Sequence, residues 1–569
     1  MREFQLSKRS AGMELLFEVG LSLSSERDHD RLIEKILIEA KRFCRADGGT
    51  IYMVTEDDHL EFAIMRNDTM GTALGGTTGM PLDGMPRIPL QDADSGEPNA
   101  RNIAAYAANA CQSVNVEDAY EVDRFDFSGT KEFDRRNGYR SRSFLTIPMR
   151  NNVGRVIGVL QLINAQDEHG EEIIPFDPVV QEIVEALASQ AAVALDNQQL
   201  IAAQRRLLES FIQMIASSID AKSPYTGGHC ERVPILTEML AGAVCNAKTG
   251  PFAEFDLDRE EWYELHIAAW LHDCGKVTTP VHVMDKATKL ESIRDGIETV
   301  RARFEAKKRE IQLDHVLAGG AIDDEALTAR IEALDDDLAF LETSNIGGEF
   351  LDEAAKDRIR RIGAIGWRCG NGVRAMLTDE EIANLCIERG TLSQEERLVI
   401  NGHMVQTVKM LESLPFPRDL KRVPEYAGGH HETMDGRGYP KGIFAGDMSV
   451  PARCMAIADV FEALTATDRP YKPGKTLSES MTIMGHMKRG NHLDPDLFDL
   501  FVRSGVYRDY AKRFMKADLV DDVDEEALLA IEPVPFELPS EEVRQARWRD
   551  FKEEYKPLER SALGNFGPS

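Results

Sequence analysis

Seven residues able to bind metal fall in five short stretches. His229 stands in YTGGHCERV, His272 and Asp273 in AAWLHDCGKV, and His403 in INGHMV. His430 and His431 stand in GGHHETMDGRGYP, and Asp459 in MAIADVFEALTATDRPYK. Imidazole and carboxylate together suit first-row transition metals such as iron, manganese or zinc. A His-Asp pair on adjacent positions is poorly placed for one structural zinc. It suits two ions, with the carboxylate bridging them and the imidazole on one. Five histidines and two aspartates are too many for one ion, and enough for two that keep open positions for water and substrate. Two such ions can share a hydroxide, lower its proton affinity and neutralise charge on phosphorus.

These stretches have to be positioned by a large chain. At about 150 residues per domain, 569 residues predict two to four domains. From 213 to 515 the segments read as almost all helical, with no alternating strand pattern, so this half is predicted to be all-α. It is broken by LESIRDGIETVRARFEAKKREI (290–311), apolar at 290, 297, 304 and 311, and by ALTARIEALDDDLAFLE (326–342), with Leu327, Leu334 and Leu341. This spacing predicts an antiparallel helical hairpin. Before it, residues 180–222 contain no Pro or Gly. Every seventh residue from Val180 is apolar through Leu187, Ala194, Ile201, Leu208 and Ile215. The offset row runs Val184, Ala191, Gln198, Arg205, Ile212 and Ile219. That is a heptad seam with a polar middle, read as a connecting helix that dimerises the chain. Residues 21–179 mix a helical stretch, RLIEKILIEAKRFC, with β-branched runs: GTIYMV, LEFAIM, SFLTIPM and RVIGVLQLIN. They predict an antiparallel sheet flanked by helices. Residues 1–20 read as a helical leader, and the acidic 516–569 as a weakly ordered tail.

The formal charge is −30, from 67 basic and 97 acidic residues. Such a surface repels nucleic-acid backbone and anionic lipid, which excludes nucleic acid and membrane surface as general partners. The eight cysteines form no CxxC pair, which argues against a thiolate zinc site or a disulfide framework. The start has no signal-peptide core, and no apolar run is long enough to span a bilayer. The expected location is the cytoplasm. PGKT (473–476) fails as a phosphate loop, because the glycine such a loop needs is replaced by Arg469 and no strand precedes it.

Taken in order, DAKSPYTGGHCERV, LHDCGKV, LSQEERLVINGH, HHETMDGRGYPKG, ADVFEALTATDRPYK and HLDPDLF resemble the HD-GYP family, a branch of the HD phosphohydrolases. The resemblance implies an all-α fold, a two- or three-metal site usually holding iron or manganese, and hydrolysis of cyclic di-GMP. It makes His229, His272, Asp273, His403, His430, His431 and Asp459 the metal ligands, with Asp273 as the bridge and Lys276 as the catalytic lysine. Lys276 would add positive charge or protonate the leaving oxygen. Arg469 and Lys472 would grip the second phosphate. Three-metal members carry a glutamate just before the first histidine. Ser223–Thr226 hold none, so two ions are expected, with Asp220 keeping a third open. Asp273 and His403 lie 130 residues apart, far more than is usual in the family. Residues 291–389 are therefore read as an insertion.

The first half resembles a GAF sensory domain, on GVLQLIN, PFDP and ALASQAAVALDN. In cyclic-nucleotide-binding GAF domains the Asn is followed by Lys, and Phe leads to Asp-Glu. Here Asn164 is followed by Ala165, and Phe176 leads to Val180 and Gln181, so the ligand is an unidentified small molecule. Cys44 and Cys111 are read as buried structural residues. The expectation is a multidomain protein with a sensor, a connecting helix, and a metal-dependent phosphodiesterase that cuts cyclic di-GMP to the linear dinucleotide or on to GMP. A homodimer is expected, with diguanylate cyclase domains as a further candidate partner. The alternatives are hydrolysis of another nucleotide, or a non-catalytic signalling scaffold. A scaffold's expected mark, loss of a ligand or of Lys276, is absent from the sequence.

Overall fold

The β-branched runs become strands of one antiparallel sheet. They are β1 (Ala46–Val54), β2 (His59–Asn67), β3 (Thr72–Gly75), β4 (Ile88–Pro89), β5 (Val114–Val116), β6 (Phe144–Arg150), β7 (Val156–Gln166) and β8 (Ile173–Ile174). The order is β3-β2-β1-β7-β6-β5, with β4 added to β2 and β8 to β7. Successive side chains of a strand face opposite sides. Ile51 accordingly packs with helix α1 (His29–Cys44), while Tyr52 packs with α2 (Ile103–Ala110). Asp28 starts α1, its carboxylate accepting from the Arg31 amide at 2.9 Å. Leu32, Ile36 and Leu37 of α1 are fully buried, each worth about 1.5–3 kcal/mol of transfer from water.

The structure is a computed structural model. It describes residues 28–554 apart from 83, 93–94, 223–227, 349 and 467–473, with a few isolated positions before 28. The leader thus lies almost wholly outside the described residues. The chain divides into two compact units, Met1–Leu208 and Glu209–Ser569. The first is α+β and the second is helical. In the first unit Asn164 has φ 58°, which Asn tolerates better than most residues. Its Oδ1 accepts from the Arg142 amide at 2.7 Å, and its Nδ2 donates to Tyr139 and to the Arg140 carbonyl, both at 2.8 Å. This side chain is a clasp for the loop before β6. Cys44 is buried, as expected, but Cys111 is exposed at the end of α2. It caps that helix in the left-handed region, with φ 52°.

Helix α3 (Pro178–Lys222) runs unbroken for 45 residues. Val184, Leu187, Ala188, Ala191 and Leu195 bury against the sheet, while Ile212, Ala216 and Ile219 bury in the core of the second unit. Leu200, Ile201, Leu207, Leu208, Phe211, Met214 and Ile215 are exposed. The two heptad rows of the sequence therefore do not share one seam. Ile201, Leu208 and Ile215 face solvent with Phe211, whereas Ile212 and Ile219 serve their own core.

The second unit is built on α4 (His229–Cys245), α5 (Arg259–Leu271), α6 (Ile297–Leu317), α7 (Glu325–Ile346), α8 (Gln394–Ser413), α9 (Val450–Thr465) and α10 (Glu541–Glu554), with further helices between. Helices α6 and α7 pair through Val300, Phe304, Ile311, Leu327, Leu334 and Leu341. The segment is more than a hairpin of helices. It continues through a helix at Glu353–Gly363 into an antiparallel ribbon, β9 (Gly366–Cys369) and β10 (Gly372–Ala375). A Gly-Asn turn with φ 61° at Gly370 makes the ribbon, a turn signal overlooked in a half read as strandless. The segment has a neck, where Thr391 donates to the Lys286 carbonyl at 2.9 Å. Within it, buried Lys289 donates to the carbonyls of Leu385 and Ile387 at 2.9 and 2.7 Å.

The stretch after 515 is not a loose tail as far as residue 547. Leu528 joins the main core, Tyr507 bonds Glu525, and Arg547 of α10 donates to the Gly436 carbonyl at 2.9 Å. A few apolar and arginine anchors outweigh the acidic composition that suggested disorder.

Candidate metal centre

The seven residues reach the same place from five elements. Helix α5 begins with a capping box, Asp258 accepting from the amides of Glu260 and Glu261 and Glu261 reaching back to the Asp258 amide. It ends at Leu271, and His272 and Asp273 occupy the break before a 3-10 turn at Cys274–Thr278. His229 is the first residue of α4. His403 lies mid-way along α8, and Asp459 lies in α9. His430 and His431 follow the short helix Val423–Gly428. The loop beyond them turns back at Gly436, with φ 74°. It is held by buried Glu432, whose carboxyl accepts from the amides of Lys441 at 2.7 Å and Ile443 at 3.1 Å.

The carboxylate of Asp273 lies between two groups. Its Oδ2 is 3.2 Å from His229 Nε2 and 3.1 Å from His272 Nε2, while its Oδ1 is 3.2 Å from His403 Nε2. Asp459 Oδ1 is 3.2 Å from His229 Nε2. Two four-residue groups result, each with its donor atoms within 4.8 Å of one another. One is His229, His272, Asp273 and Asp459. The other is Asp273, His403, His430 and His431. Asp273 is common to both.

The donors fit metal ions. Asp273 Oδ1, His403 Nε2 and His430 Nε2 are buried without a hydrogen-bond partner, a costly state for polar atoms unless something else engages them. Burial and neighbouring imidazoles hold His431 well below the usual histidine range and push His430 down to about 4. Their lone pairs are thus free at neutral pH, as ligation requires. Burial opposes ionisation of Asp273, yet Lys276 and His272 hold its carboxyl well below the usual range. At His229 burial is outweighed by Asp273, Asp459 and Glu462, which raise its proton affinity. The Lys276 ammonium rests on Asp273 Oδ2.

Arg469 and Lys472 lie outside the described residues, as do Ser223–Thr226. Asp220 belongs to neither metal group. Its Oδ2 accepts from the amides of Gly228 at 3.1 Å and Cys230 at 3.2 Å, capping the start of α4 under His229. Two residues on, Lys222 donates to the carbonyls of Lys276, Val277 and Thr279 at 3.2, 2.6 and 2.7 Å. The last turn of α3 thereby holds both the His229 helix and the Lys276 turn. Sequence reasoning missed Lys222, and also Glu462, which bonds His229 Nδ1. Glu462 stands three residues after Asp459 on the same helix face, but no residue type or spacing ties it to a ring 233 positions away.

The GAF-domain family profile matches residues 28–195, and the HD-domain profile matches residues 378–497. The chain carries a GAF domain and an HD domain. The HD match includes His403, His430, His431 and Asp459, while His229, His272 and Asp273 precede it. The 3′3′-cGAMP-specific phosphodiesterase 1 of Vibrio cholerae is 40% identical over 127 residues, covering 22% of this chain and 28% of the relative. The 3′3′-cGAMP-specific phosphodiesterase 3 of the same organism is 25% identical over 367 residues, covering 61% of this chain and 54% of the relative. A cyclic di-GMP phosphodiesterase of Pseudomonas aeruginosa is 42% identical over 79 residues, covering 14% and 18%. The chain thus matches from about a fifth to about half of these relatives' own length. Relatives of the GAF–HD chain are phosphodiesterases, and an HD domain implies divalent metal binding. Among the described residues no helix is long and apolar enough to cross a membrane.

Proposed function

We propose that the HD domain is a two-metal phosphodiesterase that hydrolyses a cyclic dinucleotide, cyclic di-GMP foremost, under control of a small molecule bound by the GAF domain. The observation that carries this reading is the position of Asp273, with one carboxylate oxygen toward each of two His-rich groups. His229, His272 and Asp459 would complete one site, and His403, His430 and His431 the other. The mixed nitrogen and oxygen donors suit iron or manganese. When bound, such ions supply an activated water and neutralise charge on the phosphodiester. The chain's own residues do the rest. Asp273 orients both groups, and Lys276 places a cation where negative charge develops or where the leaving oxygen takes its proton. Arg469 and Lys472 would hold the second phosphate.

The exposed apolar stripe Leu200–Ile215 on α3 supports a homodimer formed by two parallel copies of this helix.

The deciding experiment purifies the full chain without oxygen, counts its metals, and incubates it with cyclic di-GMP, 3′3′-cGAMP and cyclic mononucleotides. The expected products are the linear dinucleotide or GMP from cyclic di-GMP. Turnover of 3′3′-cGAMP alone would move the substrate assignment to the specificity named for two of the relatives. Absence of turnover with two ions bound would refute the enzyme reading.

A further inference from the structure

We infer that Glu462 is a positioning residue for His229, and that it makes the His229/His272/Asp273/Asp459 group hold its ion more tightly than the Asp273/His403/His430/His431 group. The inference rests on the two-metal reading.

The outward ring nitrogens of the histidines differ in their partners. His272 Nδ1 bonds the Ala269 carbonyl at 2.7 Å, His403 Nδ1 the Ile400 carbonyl at 2.6 Å, and His430 Nδ1 the Ala427 carbonyl at 2.7 Å. Each uses a neutral oxygen three residues upstream in its own turn. His229 opens its helix, so no preceding turn of that helix offers such an oxygen. Its Nδ1 instead bonds Glu462 Oε2, contributed by α9. Glu462 is 1% exposed, and its other oxygen accepts from Arg232 Nε at 2.7 Å.

The arrangement repeats the ligand pair one turn further along both helices. Arg232 follows His229 by three positions on α4, and Glu462 follows Asp459 by three on α9. A carboxylate on the outward nitrogen fixes the tautomer, turns Nε2 inward and makes it more basic than a carbonyl partner does. The first group also holds two carboxylates, Asp273 and Asp459, where the second holds Asp273 and three imidazoles. Asp273 is common to both groups and Lys276 offsets part of its charge, as Arg232 offsets part of that on Glu462, so the difference rests on Asp459 and on the carboxylate partner of His229 Nδ1. A purely structural Glu462 would only tie α4 to α9. It would affect stability without separating the two sites.

The test is a titration of the metal-free full chain with Mn2+ alone, read by calorimetry and by the EPR signal of free Mn2+. The parent is expected to bind two ions in two classes of unequal affinity. Glu462→Gln keeps the size and the hydrogen bond but removes the charge. It is expected to weaken the tighter class about 10–100-fold and leave the weaker class as it was. His403→Ala is expected to remove the weaker class alone. Thermal unfolding of each metal-free variant reports its structural cost separately. Two equal sites in the parent, an unchanged tight class in Glu462→Gln, or parallel weakening of both classes would overturn the inference. A parent that binds no Mn2+ would overturn the two-metal reading beneath it, a result distinct from any of these.

Discussion

Gly275 separates the two halves of the site by less than a methyl group, and Gly275→Ala should break it. The glycine lies two residues after Asp273, in the 3-10 turn that also bears Lys276, and its amide donates to Thr407 Oγ1 of α8 at 2.9 Å. A Cβ there would stand 2.0 Å from the His403 carbonyl oxygen and 2.6 Å from both the amide nitrogen and the Oγ1 of Thr407. A carbon meets a carbonyl oxygen at about 3.3 Å, so the turn and α8 must part by roughly 1.3 Å. The obstacle is backbone, which cannot swing aside as a side-chain end can. One wall carries Asp273 and the other His403, whose facing atoms are now 3.2 Å apart. Metal–ligand distances tolerate only about 0.2 Å, so the His403 group should lose its ion. Overpacking of this kind costs about 1–3 kcal/mol, which for the unit Glu209–Ser569, at about 2.1 cal/mol/K of unfolding entropy per residue, lowers Tm by roughly 1.3 °C per kcal/mol. Metal content, turnover and thermal unfolding would be measured together. Gly402→Ala is the matched control. Gly402 adjoins His403 in the same helix, but a Cβ there meets nothing within 4 Å. It should keep both ions and gain about 0.5–1 kcal/mol from helix propensity. A Gly275→Ala protein with two ions and parental turnover would refute the claim that this close approach sets the site.

Asp273→Ala should remove the residue common to both groups and abolish turnover and metal binding while circular dichroism stays helical; near-normal occupancy and rate would sink the bridging assignment. Lys222→Met strips three carbonyls of their donor and should cost about 1–3 kcal/mol in denaturant unfolding. Because Lys276 rides on that turn, kcat should fall more than KM changes, and an unaltered kcat would show that the clamp does not position Lys276. Ile201→Glu with Leu208→Glu should convert a dimer to a monomer by light scattering, since a buried unpaired charge is costly; a monomeric parent would rule the stripe out as the dimer contact. Replacing 287–390 by a Gly/Ser linker takes out Lys289 together with the carbonyls it caps, and leaves every proposed ligand in place. The shortened protein should keep two ions with an altered KM or an altered dependence on the GAF domain, whereas parental kinetics and regulation would make the segment an elaboration only.

The sequence made the donor atoms legible and left their supports hidden, for a physical reason. Metal chemistry restricts ligands to a few residue types, so His272-Asp273 or His430-His431 stand out even without a fold. The partner that orients a ligand is restricted only by reach. Glu462 lies 233 residues from His229 in the chain, and nothing in VFEALT marks it as the acceptor for a distant ring. The sheet was readable because strands such as SFLTIPM and RVIGVLQLIN carry enough β-branched residues to outvote other readings. The ribbon Gly366–Ala375 was not, because its strands are four residues each and β10 is exposed throughout, so no alternation is imposed on it. The connecting helix marks the boundary between the two cases. Its seven-residue period was visible, yet period alone does not say what each row meets. Ile212 and Ile219 turned out to belong to their own core, while Ile201 and Leu208 remained outside it. The same asymmetry applies to Gly275. Its place in HDCGK is plain in the sequence, but the reason for it is the His403 carbonyl oxygen 2.0 Å from the missing Cβ, and that oxygen enters only when α8 returns from beyond residue 390.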